Sequence, residues 1–249
     1  MEILYGRNPI LESLRAGRRT PRRLFLARDS REGAGVLEIL RHAQSSDLKV
    51  ERVSRQDLNQ LVGHRHHQAI ALETGDYPYS QLDTILASAG SHGEPPLLLI
   101  LDLLQDPQNV GALLRTAEAV GVHGVFLQKR RAVGVTPAVV SSSSGATEHL
   151  LIAQETNLHR TMRELQESGV WLYGLDAGPD ATPFHLVELV GAIGLVVGSE
   201  GRGLRRLVRE TCDALISLPM RGRVESLNAA TAGSVGLYAI WERRGFGTG

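Results

Sequence analysis

The 249-residue chain has one cysteine, Cys212, and only two lysines, Lys49 and Lys129, among its 27 basic side chains. A single thiol excludes an intrachain disulfide and a cysteine-rich zinc site. Cys212 reads as a small, half-buried residue at the end of a helix. No run of about 18 apolar residues is present, so no membrane-spanning helix is expected. The first stretch carries Arg7, Arg15, Arg18 and Arg19 without an apolar core. It does not read as a signal peptide, and a cytoplasmic location is the expectation. The phosphate loop G-x-x-x-x-G-K-[ST] and the dinucleotide fingerprint G-x-G-x-x-G are both missing. Net charge is missing too: 27 basic residues balance 27 acidic ones.

What is present is unevenly placed. Residues 1–75 hold 13 Lys+Arg against 9 Asp+Glu, and residues 1–28 hold seven Arg against two Glu. His42, His64, His66 and His67 add polar groups there. The planar fork of arginine suits phosphate and stacked bases, although GC-rich coding also favours arginine over lysine. A solvated basic face and an RNA footprint both fit the count.

Cap and turn signals divide the chain. Asn8-Pro9 predicts a helix start and Gly17 its stop. Arg22–Ala27, Lys49–Val53 and Ala69–Glu73 read as strands and Gly33–Ser45 as a helix. Ser54 with Asp57 resembles a capping box for a helix to Val62. Residues 1–75 thus form a small α/β domain. Residues 76–95 read as a linker rich in glycine and proline, with a helix over Ser80–Ala89. From 96 to 249, short apolar runs alternate with helices. The runs are Leu97–Leu101, Gly124–Leu127, Leu150–Ala153, Val170–Leu175, Ala192–Val197 and Ala214–Leu218. The helices cover Val110–Val120, Asn157–Ser168, Leu204–Glu210 and Ser226–Arg244. Runs apolar throughout suit strands buried on both faces, so this domain is α/β with a mainly parallel sheet.

Three segments look functional. In the first, a strand enters the polar turn before Asn109, which either caps a helix or aims its amide at a ligand. Arg115, further along that helix, is a surface side chain snorkelling outward or a site cation. In the second, Gly198-Ser199-Glu200-Gly201-Arg202-Gly203 follows a buried strand. Its glycines let backbone approach a ligand closely, as in a cofactor loop without phosphate preference, or simply form a tight turn. In the third, a strand ends at Pro219 and a Gly/Arg loop leads to Ser226 and Asn228, with Ser226 the expected helix cap. Gly233 and Gly236 each weaken the helix beyond by about 1 kcal/mol. That cost fits another backbone packing close, from a partner helix or a threaded chain.

Together D-P-Q-N-V-G-A-L-L-R-T-A (106–117), V-V-G-S-E-G-R-G-L (196–204) and I-S-L-P-M-R-G-R-V-E-S-L-N-A-A-T-A (216–232) resemble the three motifs of the TrmH-type SPOUT RNA 2′-O-methyltransferases, in the same order. Y-G-R-N-P-I-L-E-S-L (5–14) and H-H-Q-A-I-A-L (66–72) resemble that family's small L30e-like substrate-binding domain. The resemblance implies a SPOUT α/β-knot domain with a C-terminal trefoil knot, a rare exception to unthreaded chains. It implies S-adenosyl-L-methionine (SAM) as cofactor, held by Gly198, Gly203, Ile216, Leu218 and Leu227. It implies Arg115 as the central catalytic group, with Asn109, Glu200, Ser226 and Asn228 holding geometry. It further implies a homodimer joined through the last helix and the first motif's helix, and RNA gripped through residues such as Arg18, Arg19, Arg22 and Arg23. The branch it looks most like methylates a guanosine in the peptidyl-transferase region of bacterial 23S rRNA. The motifs contain no histidine and no ligand set suited to a metal. After Ser-Leu-Asn this chain has Ala-Ala-Thr-Ala where many relatives are valine-rich, which bears on helix packing. A relative acting on tRNA or another rRNA nucleotide, and a non-catalytic RNA-binding or ribosome-assembly factor, are the competing readings.

Overall fold

In the computed structural model the described residues are 1–31, 33–91, 93–223 and 226–247; Val224 and Glu225 of the third segment lie outside them. The chain begins β1 (Glu2–Tyr5), α1 (Arg7–Ala16), β2 (Pro21–Ala27), α2 (Ala34–Ser45), β3 (Lys49–Val53), α3 (Arg55–Val62) and β4 (Ile70–Thr74). It continues α4 (Leu82–Ser91), β5 (Leu97–Asp102), α5 (Pro107–Ala119), β6 (Gly124–Gln128), α6 (Pro137–Ser142), β7 (Ile152–Glu155) and α7 (Leu158–Glu167). It ends β8 (Trp171–Leu175), β9 (Thr182–Pro183), β10 (Ile193–Gly198), α8 (Arg206–Thr211), β11 (Ala214–Ser217) and α9 (Ala229–Arg243).

Two compact units result: Met1–Pro78 with Val135–His149, and Tyr79–Gly134 with Leu150–Gly249. The sequence places 135–149 in the larger domain, yet α6 and the 3-10 turn Ala146–Glu148 cluster with the small unit. The small unit carries a four-stranded sheet in the order β1-β4-β2-β3. β4 is central and buried along its whole length, antiparallel to both neighbours. On one face Leu4, Leu24, Leu26, Ile70 and Leu72 are buried, as are Ile10 and Ile39 of the helices; on the other, Leu58 of α3 packs with Phe25, Ala27, Ala69 and Ala71. The capping box at Ser54 and Asp57 forms as the sequence predicts. Strand β1 and helix α6 have no counterpart in the sequence reading, and α1 starts after Gly6 without a side-chain cap, ahead of the expected Asn8-Pro9.

Arg19, expected at an RNA surface, is instead buried in this unit. Its Nε donates to Glu148 Oε2 at 2.8 Å and its Nη1 pairs with Glu2 at 2.5 Å, while the guanidinium lies 5.0 Å from the Tyr77 ring centre. Truncating one partner of such a buried pair strands the other charge, at a cost of about 3–5 kcal/mol. Its role is therefore structural. Arg18 is tied down as well, donating to the Tyr77 hydroxyl and the Pro78 carbonyl. Arg23 pairs with Glu73 at 2.7 Å, and Arg22 is exposed on β2.

The larger unit has a seven-stranded sheet in the order β7-β6-β5-β10-β8-β11-β9, parallel at every pairing. β5, β6 and β10 are buried at every residue, as their unbroken apolar runs predict. From β5 the chain lays β6 and β7 to one side, whereas β10 and β8 lie on the other. Ligands in such sheets sit beyond the carboxyl ends of the strands where the winding direction reverses. Here that point is the paired strand ends Asp102 and Gly198.

The glycines of α9 receive a different explanation from the one expected. A Cβ on Gly233 would stand 2.8 Å from Leu113 of α5 and 3.2 Å from Val197 of β10. The small residues let α9 sit tightly on its own α5 and β10. Another face of α9 leaves Val235 and Tyr238 at 42% and 47% exposure.

Cys212 closes α8, its thiol donating to the Val208 carbonyl at 3.3 Å. Burial, reinforced by Asp213, pushes that thiol up to about 12. Thiolate is the reactive species, so at pH 8 only about one thiol in ten thousand is ionised. Iodoacetamide at pH 8 should label the unfolded chain and leave the folded one unmodified by mass; rapid labelling of folded protein would contradict the burial.

Candidate active site

Each of the three segments leaves the carboxyl end of a strand at the reversal point. After β5, Asp106 caps α5, accepting hydrogen bonds from the backbone N–H of Gln108 and Asn109, with Pro107 at the first helical position. Of the two readings of Asn109, helix cap or amide aimed away from the helix, the second holds. Proline prefers the position directly after the cap, so Asp106 takes that role and the Asn109 side chain is released to point elsewhere. Its Nδ2 donates to Glu200 Oε1 at 2.8 Å.

After β10 the chain makes a tight turn, closed by Ser199 N–H to Gly203 O at 3.1 Å and Gly203 N–H to Ser199 O at 2.9 Å. A Cβ on Gly198 would stand 2.2 Å from the Gly203 carbonyl carbon and 2.4 Å from the Leu204 nitrogen. No side chain fits there, because the obstacle is backbone. The turn lifts Glu200 out of the strand line. It is anchored by Asp102, wholly buried, which accepts the Arg205 backbone N–H at 2.8 Å and its Nε at 2.7 Å. Arg205 also reaches Gln128 Oε1 at 2.9 Å. Asp102 and Arg205 were not singled out from sequence, since their partnership depends on the β5–β10 register.

After β11 the loop returns to α9. Asn228, not Ser226, is the cap: its Oδ1 accepts from the N–H of Ala230 and Thr231 at 2.9 and 3.2 Å. Ser226 is exposed, ahead of the helix. The other end of the Asn228 amide donates to Asn109 Oδ1 at 3.0 Å and to Glu200 Oε1. One carboxylate oxygen thus receives an amide from each of the other two segments. Residues 109, 200 and 228 form a single cluster.

A cleft of about 520 Å³ lies beside this cluster. Gly198, Gly203, Leu218 and Leu227 line it, as do Glu200 and Ser226. Ile216 does not: its side chain is completely buried in β11, and its carbonyl accepts the Asp176 N–H at 3.0 Å. Asp176, unnoticed in the sequence, does line the cleft; it accepts the Gly178 N–H and the Arg209 Nε at 2.6 and 3.0 Å, which fixes the loop after β8. A smaller hollow of about 200 Å³ shares Ser199, Glu200 and Ala229 with the cleft and adds Asp106 and Asn109. Glu200 therefore stands on the border of two spaces. Arg115 is exposed on α5 and lines neither. Among the described residues no group of three or more histidine, cysteine or acidic side chains could hold a metal ion, and no helix is long and apolar enough to cross a membrane.

A knitted cluster from three strand ends, beside a cleft walled by glycine turns, defines the catalytic end of a parallel α/β enzyme domain. Comparison with known proteins is consistent with that class. The SpoU rRNA Methylase family matches residues 96–238, and the RNA 2′-O ribose methyltransferase substrate-binding family matches residues 3–80. The chain is 39% identical, over 98% of its length and 96% of the relative's, to YacO of Bacillus subtilis (strain 168), whose name provisionally places it in the TrmH family of tRNA/rRNA methyltransferases. The solved structure of the SpoU methyltransferase AviRb from Streptomyces viridochromogenes with AdoMet superposes with a TM-score of 0.81 at 25% identity, over 98% of this chain and 91% of that one. The AdoMet-bound rRNA methyltransferase from Sinorhizobium meliloti gives 0.80 at 20% identity, over 97% and 87%.

The chain belongs to the SpoU/TrmH family of RNA 2′-O-ribose methyltransferases and has the SPOUT fold, with a substrate-binding part ahead of the catalytic one.

Proposed function

We propose that this protein transfers a methyl group from SAM to the ribose 2′-hydroxyl of a guanosine in the peptidyl-transferase region of 23S rRNA, the reaction of the RlmB branch of the family. In this reading it works in the cytoplasm during rRNA processing, as a homodimer, with its C-terminal segment threaded in a trefoil knot. Val235 and Tyr238, exposed on α9, support the dimer, since an apolar stripe on a helix favours a covering partner. The small unit, 1–75 in the sequence division, is the RNA-gripping domain; 76–95 links it to the methyltransferase domain, 96–249.

The cleft suits the cofactor. Its volume falls in the usual range for small-molecule sites, about 300–1,000 Å³. Gly198 and Gly203 offer backbone, and Leu218 and Leu227 offer apolar walls. Its lining charges balance, Glu200 and Asp176 against Arg202 and Arg209, and Arg209 is already held by Asp176 and Asp180; no lysine is present to clamp a phosphate. When bound, SAM supplies a methyl group on a sulfonium whose thioether leaves uncharged.

The protein's own groups do the rest. A ribose hydroxyl is a poor nucleophile and must be aligned and relieved of its proton. The observation that carries the proposal is the Asn109–Glu200–Asn228 cluster, which fixes a carboxylate at the border between cleft and hollow. Ser226 adds a hydroxyl on the cleft wall. Arg115, exposed on α5 outside both spaces, binds an RNA phosphate in this reading, and its part in favouring the developing alkoxide is the electrostatic one that the resemblance implies. Mapping 2′-O-methyl groups on 23S rRNA and tRNA from cells with and without the gene tests the reading. Loss of one methylguanosine in the peptidyl-transferase region is the expected result. An unchanged 23S map with a tRNA position lost would overturn the substrate and leave the reaction.

A further inference from the structure

The grip on RNA, as the sequence assigns it, fails at its centre, because Arg19 is buried and Arg18 is tied down within the small unit. That unit has another basic surface. A hollow of about 480 Å³ is lined by Arg7, Asp29, Ser30, Arg31, Arg55, Gln68 and Ala69. Arg7 opens α1 and Arg55 opens α3, while residues 29–31 leave the end of β2 and residues 68–69 lead into β4. Four separate stretches of chain are thus folded together to make one concave wall.

Its charge is unbalanced. Asp29 Oδ2 accepts from Arg55 Nε at 2.6 Å, which neutralises one of three guanidinium groups. Among the described residues no carboxylate lies within ion-pair distance of Arg7 or Arg31, and both are exposed. The like charges that remain around the hollow repel one another. The Ser30 hydroxyl oxygen, on the same wall, is buried with no hydrogen-bond partner. A buried hydroxyl without a partner is costly, and an anion seated in the hollow would supply the acceptor. Gln68 and Ala69 are both in the left-handed region, at φ 54° and 65°, and Gln68 Oε1 accepts the Arg7 N–H at 2.9 Å, which locks this rim to the start of α1.

Aromatic rings precede the rim residues in two of these stretches. The Tyr5 and His64 rings meet edge to face at 4.4 Å between centroids, and His66 lies 6.2 Å beyond His64. Tyr5 is two residues before Arg7, and His66 two before Gln68. Guanidinium groups beside flat rings are what looped or single-stranded RNA requires: phosphate on the cations, an unstacked base on a ring.

We propose that this hollow seats a backbone phosphate of a looped RNA segment and that the Tyr5–His64–His66 rings stack a neighbouring base. The proposal rests on the RNA-methyltransferase reading above and names where the small unit holds its substrate. The test uses the full chain and a fluorescent transcript of the peptidyl-transferase domain of 23S rRNA, read by anisotropy across a salt series. The double variant Arg7→Ala/Arg31→Ala should bind about tenfold or more weakly, with a salt slope shallower by about 1 to 2. His64→Ala should weaken binding with the salt slope unchanged. Arg160→Ala, on the larger unit, should bind as wild type. SAM binding by calorimetry should be equal in all variants, which excludes misfolding as the cause. Wild-type affinity and slope in the double variant would overturn the site. Displacement of the transcript by micromolar guanosine monophosphate would overturn it too, by showing a mononucleotide pocket. If the wild-type protein neither bound nor methylated the transcript, the substrate reading would fall instead.

Discussion

Gly198→Ala is expected to abolish measurable SAM binding, with the dissociation constant raised by about 100-fold or more, roughly 2.7 kcal/mol. The added methyl group would enter the Gly203 carbonyl group and the Leu204 nitrogen, at 2.2–2.4 Å. Relief has to come from one of two backbones. β10 cannot retreat, since it is bonded in parallel register to β5 on one side and β8 on the other. The turn must therefore lift, breaking the paired Ser199–Gly203 bonds. It would carry Glu200 away from Asn109 and Asn228 and pull against Arg205, which Asp102 holds from below. Overpacking at such a contact costs about 1–3 kcal/mol of stability, so the variant should still fold with a lowered melting temperature. Calorimetric titration with SAM, run beside thermal unfolding, separates the two effects. A folded Gly198→Ala protein with wild-type SAM affinity would show that the turn does not shape the cofactor site.

Much of this site was legible because strand ends announce themselves: an apolar run stops, and glycine or proline follows. β5, β10 and β11 were each placed within two residues of their observed ends, and the parallel sheet followed from runs apolar at every position. The caps were harder. Asp106 and Asn109 are both competent caps, as are Ser226 and Asn228, and propensity alone does not choose between them. The choice is made by Pro107 in the first case and by the return path of the loop in the second. Partnerships across long sequence separation were invisible. Arg19 counts as one more surface charge until Glu148, 129 positions away, is found bonded to it. The same holds for Asp102 with Arg205, 103 positions apart. Residues 135–149 show no strong periodicity, and their place in the small unit follows from contacts such as the Tyr77 hydroxyl donating to Thr147 O at 2.9 Å. Deleting residues 1–75 would strip α6 of its packing on β1 and α1, so point variants are the better probes of the small unit.

Asn228→Asp isolates what the amide cluster does, because one side chain there performs two tasks. Its Oδ1 caps α9 and its Nδ2 ties Glu200 to Asn109. Aspartate keeps an oxygen for the cap, so the roughly 1 kcal/mol that capping contributes should survive. It replaces the donor by a second carboxylate oxygen facing Glu200. Two like charges at hydrogen-bond distance repel, and the pair binds a proton more tightly than an isolated carboxylate would. Above the raised apparent pKa both groups are ionised and Glu200 is pushed from its place; below it, one carboxyl holds a proton and can donate where the amide did. Methylation under single-turnover conditions should therefore fall about 100-fold at pH 8 and recover in part as the pH is lowered towards about 5. SAM affinity and melting temperature should stay near wild type. Asn228→Ala, by contrast, loses cap and link together, should melt lower, and should show no recovery at low pH. A rate for Asn228→Asp equal to wild type at pH 8 would mean that Glu200 is held by something other than the amides of Asn109 and Asn228, and that the cluster is a helix cap with no part in positioning the reacting ribose.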